Sequence, residues 1–326
     1  MEQPVRVAYF CSTRELAGDE GVGTRRKGTL EHLVELLQNQ ANPQFARTFE
    51  IALIVIDDNA PQLDLDRFGI PVHVEPSRVF RRLPRGEMEA RQAAKAEFET
   101  RIADVLDREN IDLVISDSWM TIFGPVMLGR YGGRMLNVHP ADTNQFPGDT
   151  PTMANVLHAA NDGMKCVPAI TVHEIDPGID TGAAVVRRKG EPLDMASELQ
   201  GFFPGVERQE LANRIREGIA ALWPNPKVQK SNGENVSEEA LNTTRTAIEI
   251  LRDASYRMKE RYVPEAMLEF AGRREVMERI RDARAERHNR LNPLARANEE
   301  VVPVTSFGNQ RRDAAVRQPL AQRMRN

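Results

Sequence analysis

The sequence predicts an α/β fold, a Rossmann-like parallel sheet flanked by helices, with a helical extension at its C-terminal side. Three observations lead there. Short runs at 5–10, 50–56 and 111–117 are almost continuously apolar, as strands buried on both faces are. Segments with apolar residues at helical spacing, 29–38 and 86–108, alternate with them. Beyond residue 200 the strand-like runs give way to long charge-rich segments with apolar residues three and four apart. Alternating strands and helices imply parallel pairing through right-handed crossovers, and ligands in such sheets sit beyond the carboxyl ends of the strands.

Taken in order, Val5 opens the first strand, and a polar loop with several glycines leads to the helix at 29–38. A strand at 50–56 is followed by a shorter edge strand at 69–74, where Pro71 is tolerated. Residues 78–85, rich in arginine, read as surface charge before the helix at 86–108 and the strand at 111–117. A helix at 151–162 turns Ala154, Leu157 and Ala160 inward. Two strands, 169–173 and 183–187, form a hairpin around the turn at 176–182. Two long helices are expected at 237–262 and 264–290, the second with Pro264 in its first position. They are expected to pack on the core as a hairpin or to join two copies as a homodimer. From Leu291 the composition turns to Asn, Pro, Arg and Gln, as in a flexible tail. The expected divisions are 1–200 as catalytic domain, 201–290 as helical extension and 291–326 as tail.

The chemistry concentrates between Met135 and Gly182. Met135-Leu-Asn-Val-His-Pro140 offers an amide and an imidazole two residues apart, hence on one side of an extended strand end. Roughly forty residues later, Asp180 lies in Ile179-Asp-Thr-Gly182. Such a trio suits acyl transfer to an amine: a donor for the developing oxyanion, a proton carrier, and a charge that orients and supports the carrier. Taken alone, each has a plainer reading. His139 would be a bonded loop histidine, and Asp180 a turn residue before glycine. His173, on the hairpin, reads equally as a structural imidazole or a chemical one.

These motifs resemble those of the folate-dependent formyltransferases. The family core reads Asn-x-His-Pro-Ser-Leu-Leu-Pro-x-(Phe/Tyr)-(Arg/Lys)-Gly, and Asn137, His139, Pro140, Phe146 and Gly148 fall at its offsets without a gap. Ala141-Asp-Thr-Asn144 replaces Ser-Leu-Leu-Pro, which alters local packing and the acceptor-side wall but not the trio. Upstream, Ser118-Trp-Met-Thr-Ile-Phe-Gly-Pro125 is similar to the family's pterin loop, with Thr121 where Arg is common. The resemblance implies Asn137, His139 and Asp180 as catalytic residues and 10-formyltetrahydrofolate as formyl donor. It places Trp119, Met120, Ile122 and Phe123 around a flat heterocycle, with Asp176 and Gly178 of the turn reaching the donor's amino groups.

The acceptor is read from a weaker feature. Arg25-Arg-Lys-Gly-Thr29 precedes a helix, and free N–H groups with a favourable dipole make such a place suited to anions. Arg25, Arg26, Gly28 and Thr29 are therefore the candidate acceptor residues, for a small, anionic amine. About seventeen residues separate Phe10 from Gly28, and only Gly28-Thr29-Leu30 echoes the short Gly-x-Gly-Ser-Asn phosphate loop found in the family; this altered first loop and the 141–144 replacement argue against glycinamide ribonucleotide. Two rival readings are a formyltetrahydrofolate hydrolase and a non-catalytic folate- or nucleotide-binding module. The hydrolases of this family carry an N-terminal regulatory domain, for which the strand at Val5 leaves no room. A binding module has no need of the full trio.

Bulk properties exclude other classes. A net charge of -4 over 326 residues does not suit a polyanion-coating surface, so nucleic acid is not an expected partner. Cys11 and Cys166 are too few for a disulfide framework and lack ligand spacing; no metal is expected. Neither a signal peptide nor an apolar run near the roughly 18 residues of a membrane span is visible. A cytoplasmic protein is the expectation.

Overall fold

A computed structural model describes residues 3–12, 28–39, 42–57, 66–223 and 236–291. One compact unit spans 1–287, and residues 288–326 form a second. The expected tail at 291–326 lies outside the described residues except for Leu291, which ends the last helix.

Seven strands make the principal sheet: β1 (Val5–Cys11), β2 (Phe49–Ile56), β3 (Val72–Val74), β4 (Leu113–Asp117), β5 (Met135–His139), β7 (Ala169–Glu174) and β8 (Ala184–Lys189). Their order is β3-β2-β1-β4-β5-β7-β8. The first five run parallel, and the hairpin of β7 and β8 joins β5 antiparallel. Two short strands, β6 (Lys165–Cys166) and β9 (Leu193–Asp194), pair separately. The strand order reverses between β1 and β4, which is the switch point where a crevice opens beyond the strand ends.

Helices cover both faces. On one lie α1 (Thr29–Gln38), the short α2 (Pro43–Thr48) and the long α9 (Glu238–Ala271), packed over Tyr9, Ile54, Ile115 and Val138. On the other, α4 (Met88–Arg108) and α5 (Pro125–Tyr131) pack Phe98, Ile102 and Met127 against Phe10 and Val114. A third apolar cluster joins α6 (Pro151–Asn161), α7 (Met195–Gln200), α8 (Arg208–Leu222) and α9. α8 and α9 thus share a core with α6, the helix that follows the His139 segment. Among the described residues no helix is long and apolar enough to cross a membrane.

Two elements differ from expectation. The segment at 78–85 is not merely surface charge, since α3 (Arg78–Arg81) forms there and buries Phe80 against Phe98. Pro264 does not start a helix either: α9 runs through it to Ala271, and α10 (Arg274–Leu291) follows. An interior proline costs about 3 kcal/mol. Val263, Ala266, Met267 and Phe270 around it are fully buried in the sheet-side core, and the valine, methionine and phenylalanine side chains each contribute about 1.5–3 kcal/mol. Packing therefore outweighs the lost hydrogen bond.

Candidate active site

β5 delivers the central pair. Asn137 lies opposite Ser116 of β4 and directly opposite His173 of β7. A cross-strand position of this kind brings side chains on one face into contact, and Asn137 Nδ2 is 3.1 Å from His173 Nε2. The same amide donates to Asp180 Oδ1 at 3.3 Å. His139 Nδ1 faces Asp180 Oδ2 at 3.4 Å, and His173 Nε2 is also 3.4 Å from Asp180 Oδ1. The three residues expected from the sequence converge on one another, and His173 joins them as a fourth. Its Nδ1 lies 2.8 Å from the Glu174 carbonyl. An Nδ1–H donated there leaves Nε2 to accept from Asn137, so His173 orients the amide.

Asp180 owes its place to the backbone around it. It has φ 54°, an uncommon conformation that Asp tolerates better than most residues. Its Oδ2 accepts the Gly148 N–H at 2.8 Å. Gly148 has φ 96°, a conformation open to glycine, which gives the motif glycine a physical reason. Gly182 is fixed by crowding instead, because a Cβ there would lie 1.8 Å from the Glu174 carbonyl oxygen.

Burial lowers the proton affinity of the His139 imidazole below its ordinary value; the Asp180 charge and the Phe146 carbonyl, 2.7 Å from Nε2, oppose this without cancelling it. Burial alone would raise Asp180. The His173 ring beside it, the Gly148 N–H and the His139 imidazole together outweigh it, and the carboxyl stays below its usual range. The resting site therefore pairs a carboxylate with a neutral imidazole. With Nε2–H donated to Phe146, Nδ1 is the nitrogen available to take up a proton, on the side where Asp180 can support it.

The loop after β4 divides the four candidate donor-binding residues. Trp119 and Phe123 are buried, their rings stacked 11° from parallel and both packed edge-on to Phe10. Met120 and Ile122 are exposed at 55% and 56%, and Ile179 of the turn at 58%. The loop thus has an apolar crest over an aromatic base. Asp176 accepts from Gly178 N–H at 3.0 Å and from the Thr181 hydroxyl at 2.7 Å, so its side chain shapes the turn.

Several residues that anchor this loop were not singled out in the sequence. Glu99 of α4, buried, accepts the Gly124 N–H at the loop's end. Arg81 of α3 donates to the Met120 carbonyl at 2.8 Å and the Thr121 hydroxyl at 2.6 Å. A guanidinium therefore reaches Thr121 from another element. At the loop's start, Asp117 accepts from the Tyr9 hydroxyl at 2.8 Å and from Lys259. The 141–144 replacement is also compensated: Asp142 is buried between Arg187 at 3.5 Å and Lys189 at 3.4 Å, both from β8. Ions stand there where the family has leucines.

Of the candidate acceptor residues, Gly28 is the N-cap of α1 and Thr29 is buried in its first turn. Arg25 and Arg26 lie outside the described residues.

Comparison with known proteins bears on the family. A family model described as Formyl transferase matches residues 25–199. Phosphoribosylglycinamide formyltransferase of Bacillus subtilis (strain 168) is 35% identical over 116 residues, covering 36% of this chain and 56% of the relative. The protein of that name from Mycobacterium tuberculosis (strain CDC 1551 / Oshkosh) is 43% identical over 83 residues, 26% of this chain and 36% of the relative. The alignments thus span about half or less of the length of these curated relatives. Phosphoribosylglycinamide formyltransferase from Bacillus halodurans, a solved structure, superimposes with a TM-score of 0.41 and 23% identity, covering 70% of this chain and 96% of that one. The family match extends over more than half of the 326 residues, and the chain belongs to the folate-dependent formyl transferase family.

Proposed function

We propose that this protein transfers a formyl group from 10-formyltetrahydrofolate to an amine of a small, anionic acceptor. The observation that carries the reading is the convergence of Asn137, His139 and Asp180, with the Gly148 N–H locking the carboxylate in place. The amine attacks the formyl carbon, a new C–N bond forms, and the carbonyl oxygen becomes an oxyanion. Asn137 stabilises it by giving up the longer of its two hydrogen bonds, that to Asp180. His139 takes the amine's proton at Nδ1, Asp180 supports the imidazolium, and the proton passes to the leaving folate nitrogen as its bond to the formyl carbon breaks. The exposed crest of Met120, Ile122 and Ile179 receives the donor's flat ring, with Trp119 and Phe123 behind it. The turn at Asp176 and Gly178 offers backbone groups to the ring's edge. In this reading residues 1–200 are the catalytic domain and 201–290 a helical extension.

The acceptor's anion sits at the N-terminus of α1, near Gly28 and Thr29, and Arg25 and Arg26, just before them in the sequence, are its expected cationic partners. The relatives' name makes a phosphorylated amine, glycinamide ribonucleotide, the first acceptor to try. The ionic wall around Asp142 favours a different one, so amino-sugar nucleotides, amino acid derivatives and hydroxylamines belong in the same screen. Transfer of labelled formyl to one of these, faster than formyl release to water, supports the reading. Full-speed release with no amine present makes the protein a hydrolase instead. Reversing Arg25 and Arg26 to Glu is expected to raise the acceptor KM with kcat and donor binding little changed, because such contacts stabilise ground and transition states alike.

His173 gives a further expectation. His173→Ala should lower kcat roughly tenfold with both KM values nearly unchanged, since it removes orientation of Asn137 and not a substrate contact. Steady-state kinetics at saturating donor check this. Wild-type kcat would reduce His173 to a packing residue.

A further inference from the structure

Lys259 lies on α9, more than a hundred residues after the loop that follows β4, yet its ammonium meets Asp117 at that loop's start. Both are almost wholly buried, at 2% and 0% exposure. The carboxylate is shared among three parts of the chain: Lys259 and the Ser118 hydroxyl (3.3 Å) on Oδ1, and the Tyr9 hydroxyl of β1 on Oδ2. The Tyr256 ring lies 4.7 Å from the ammonium. β1 and β4 are the strands that flank the switch point of the sheet, so the pair lies at that point. Immediately after Asp117, Ser118 has φ 60°, a costly conformation for a non-glycine residue that persists only where its surroundings hold it.

A buried ion pair is a poor device for stability alone, because apolar residues of similar volume commonly do as well or better. This one stands where the donor loop begins, and Asp117 pairs in register with Val138, the residue next to His139. We propose that Lys259, acting through Asp117, is a positioning residue: it ties the C-terminal helix to the donor loop and sets a fixed positive charge beside the His139 site. The inference rests on the formyl-transfer reading for the word donor, but not for the charge. Besides burial, the groups acting on His139 are Asp180 from the turn, the Phe146 carbonyl, His173 from β7 and Lys259 from α9; Asp180 and the carbonyl favour the imidazolium, and His173 and Lys259 oppose it.

Two measurements on the whole chain test this. The first is an NMR titration of the His139 ring in ligand-free protein, assigned by comparison with His139→Ala. Lys259→Met removes a cation and should move the His139 titration to higher pH, whereas Lys259→Arg, which keeps the charge, should leave it close to wild type. The second is calorimetry with a folate analogue that lacks the formyl group. Lys259→Met should weaken its binding by roughly two- to thirtyfold, the range for residues that act on a site through others, and Lys259→Arg should restore it. A wild-type result for Lys259→Met in either measurement overturns the proposal, as does an equal shift in the arginine variant. Lys259→Met strands a buried carboxylate and can fail to fold. Tyr9→Phe then stands in, since it removes one hydrogen bond to Asp117 and no charge. It should weaken the analogue within the same range and leave the His139 titration in place; unaltered binding overturns the proposal. If the wild-type protein binds no folate analogue, the donor assignment fails, and the imidazole titration alone decides the role of Lys259.

Discussion

Replacing His139 with alanine is expected to lower kcat by at least about a hundredfold, the lower bound for loss of a positioned general acid–base group. Of Asn137, His139 and Asp180, the His139 imidazole is the group able to carry a proton between the attacking and leaving nitrogens. Asn137 can donate but not titrate, and Asp180 is held as a carboxylate by its hydrogen bonds. Because burial holds the His139 proton affinity down, the acid limb of kcat/KM should lie below the ordinary histidine value of about 6.5. The same shift affects folding. Below about pH 6.5 the unfolded chain takes up a proton at this residue that the folded protein declines, so stability falls as pH drops, over a range extending to the lowered folded value. His139→Ala should remove both features, the acid limb from the rate profile and this share of the pH dependence from the melting curve. Circular dichroism shows whether the fold survives. A folded variant turning over within tenfold of wild type would exclude His139 as the proton carrier.

The candidate trio of Asn137, His139 and Asp180 was legible because it lies in short motifs whose spacing resembles the family's. Asn137 and His139 share one strand end, and the period of two turns both toward the same side. Gly148 and Gly182 mark turns whose backbone requirements are visible in the residue type itself. Helix α1 was expected at 29–38 and occupies Thr29–Gln38 for a like reason, since its apolar spacing describes a single face. What escaped the sequence depends on contacts between distant segments. Lys259 sits in a helix crowded with charges, and its partner is 142 residues away. Glu99 reads as one more acidic residue of an amphipathic helix until the Gly124 N–H is brought to it. Arg81 lies in a run of arginines that looks solvated, and only the fold of α3 aims it at the loop. Pro264 carries a strong local signal for a helix start, which burial of its neighbours overrode. In each case tertiary packing supplied a term that no window of the sequence contains.

Asp180→Asn separates charge from shape more sharply than any other change in the site. Asparagine tolerates the positive φ at this position as well as aspartate does, and its side-chain oxygen can still accept the Gly148 N–H. The turn from Asp176 to Gly182 should therefore persist, and donor affinity should stay within about threefold, as expected when transition-state interactions alone are lost. The negative charge beside His139 Nδ1 disappears. Without it the imidazolium formed during transfer has no counter-charge, and kcat should fall by roughly a hundred- to ten-thousandfold, the scale seen when a carboxylate supporting a catalytic imidazole becomes an amide. The His139 titration should move further down, because Asp180 is the charge that most raises it. Asp180→Ala is the informative companion. It loses the charge and also places a residue less suited to positive φ in the turn, so it should melt lower than Asp180→Asn while being no less impaired in kcat. If instead Asp180→Asn keeps near-normal turnover and Asp180→Ala fails only through instability, Asp180 serves the turn and not the chemistry. The proton path would then have to run through His139 and His173 without a carboxylate.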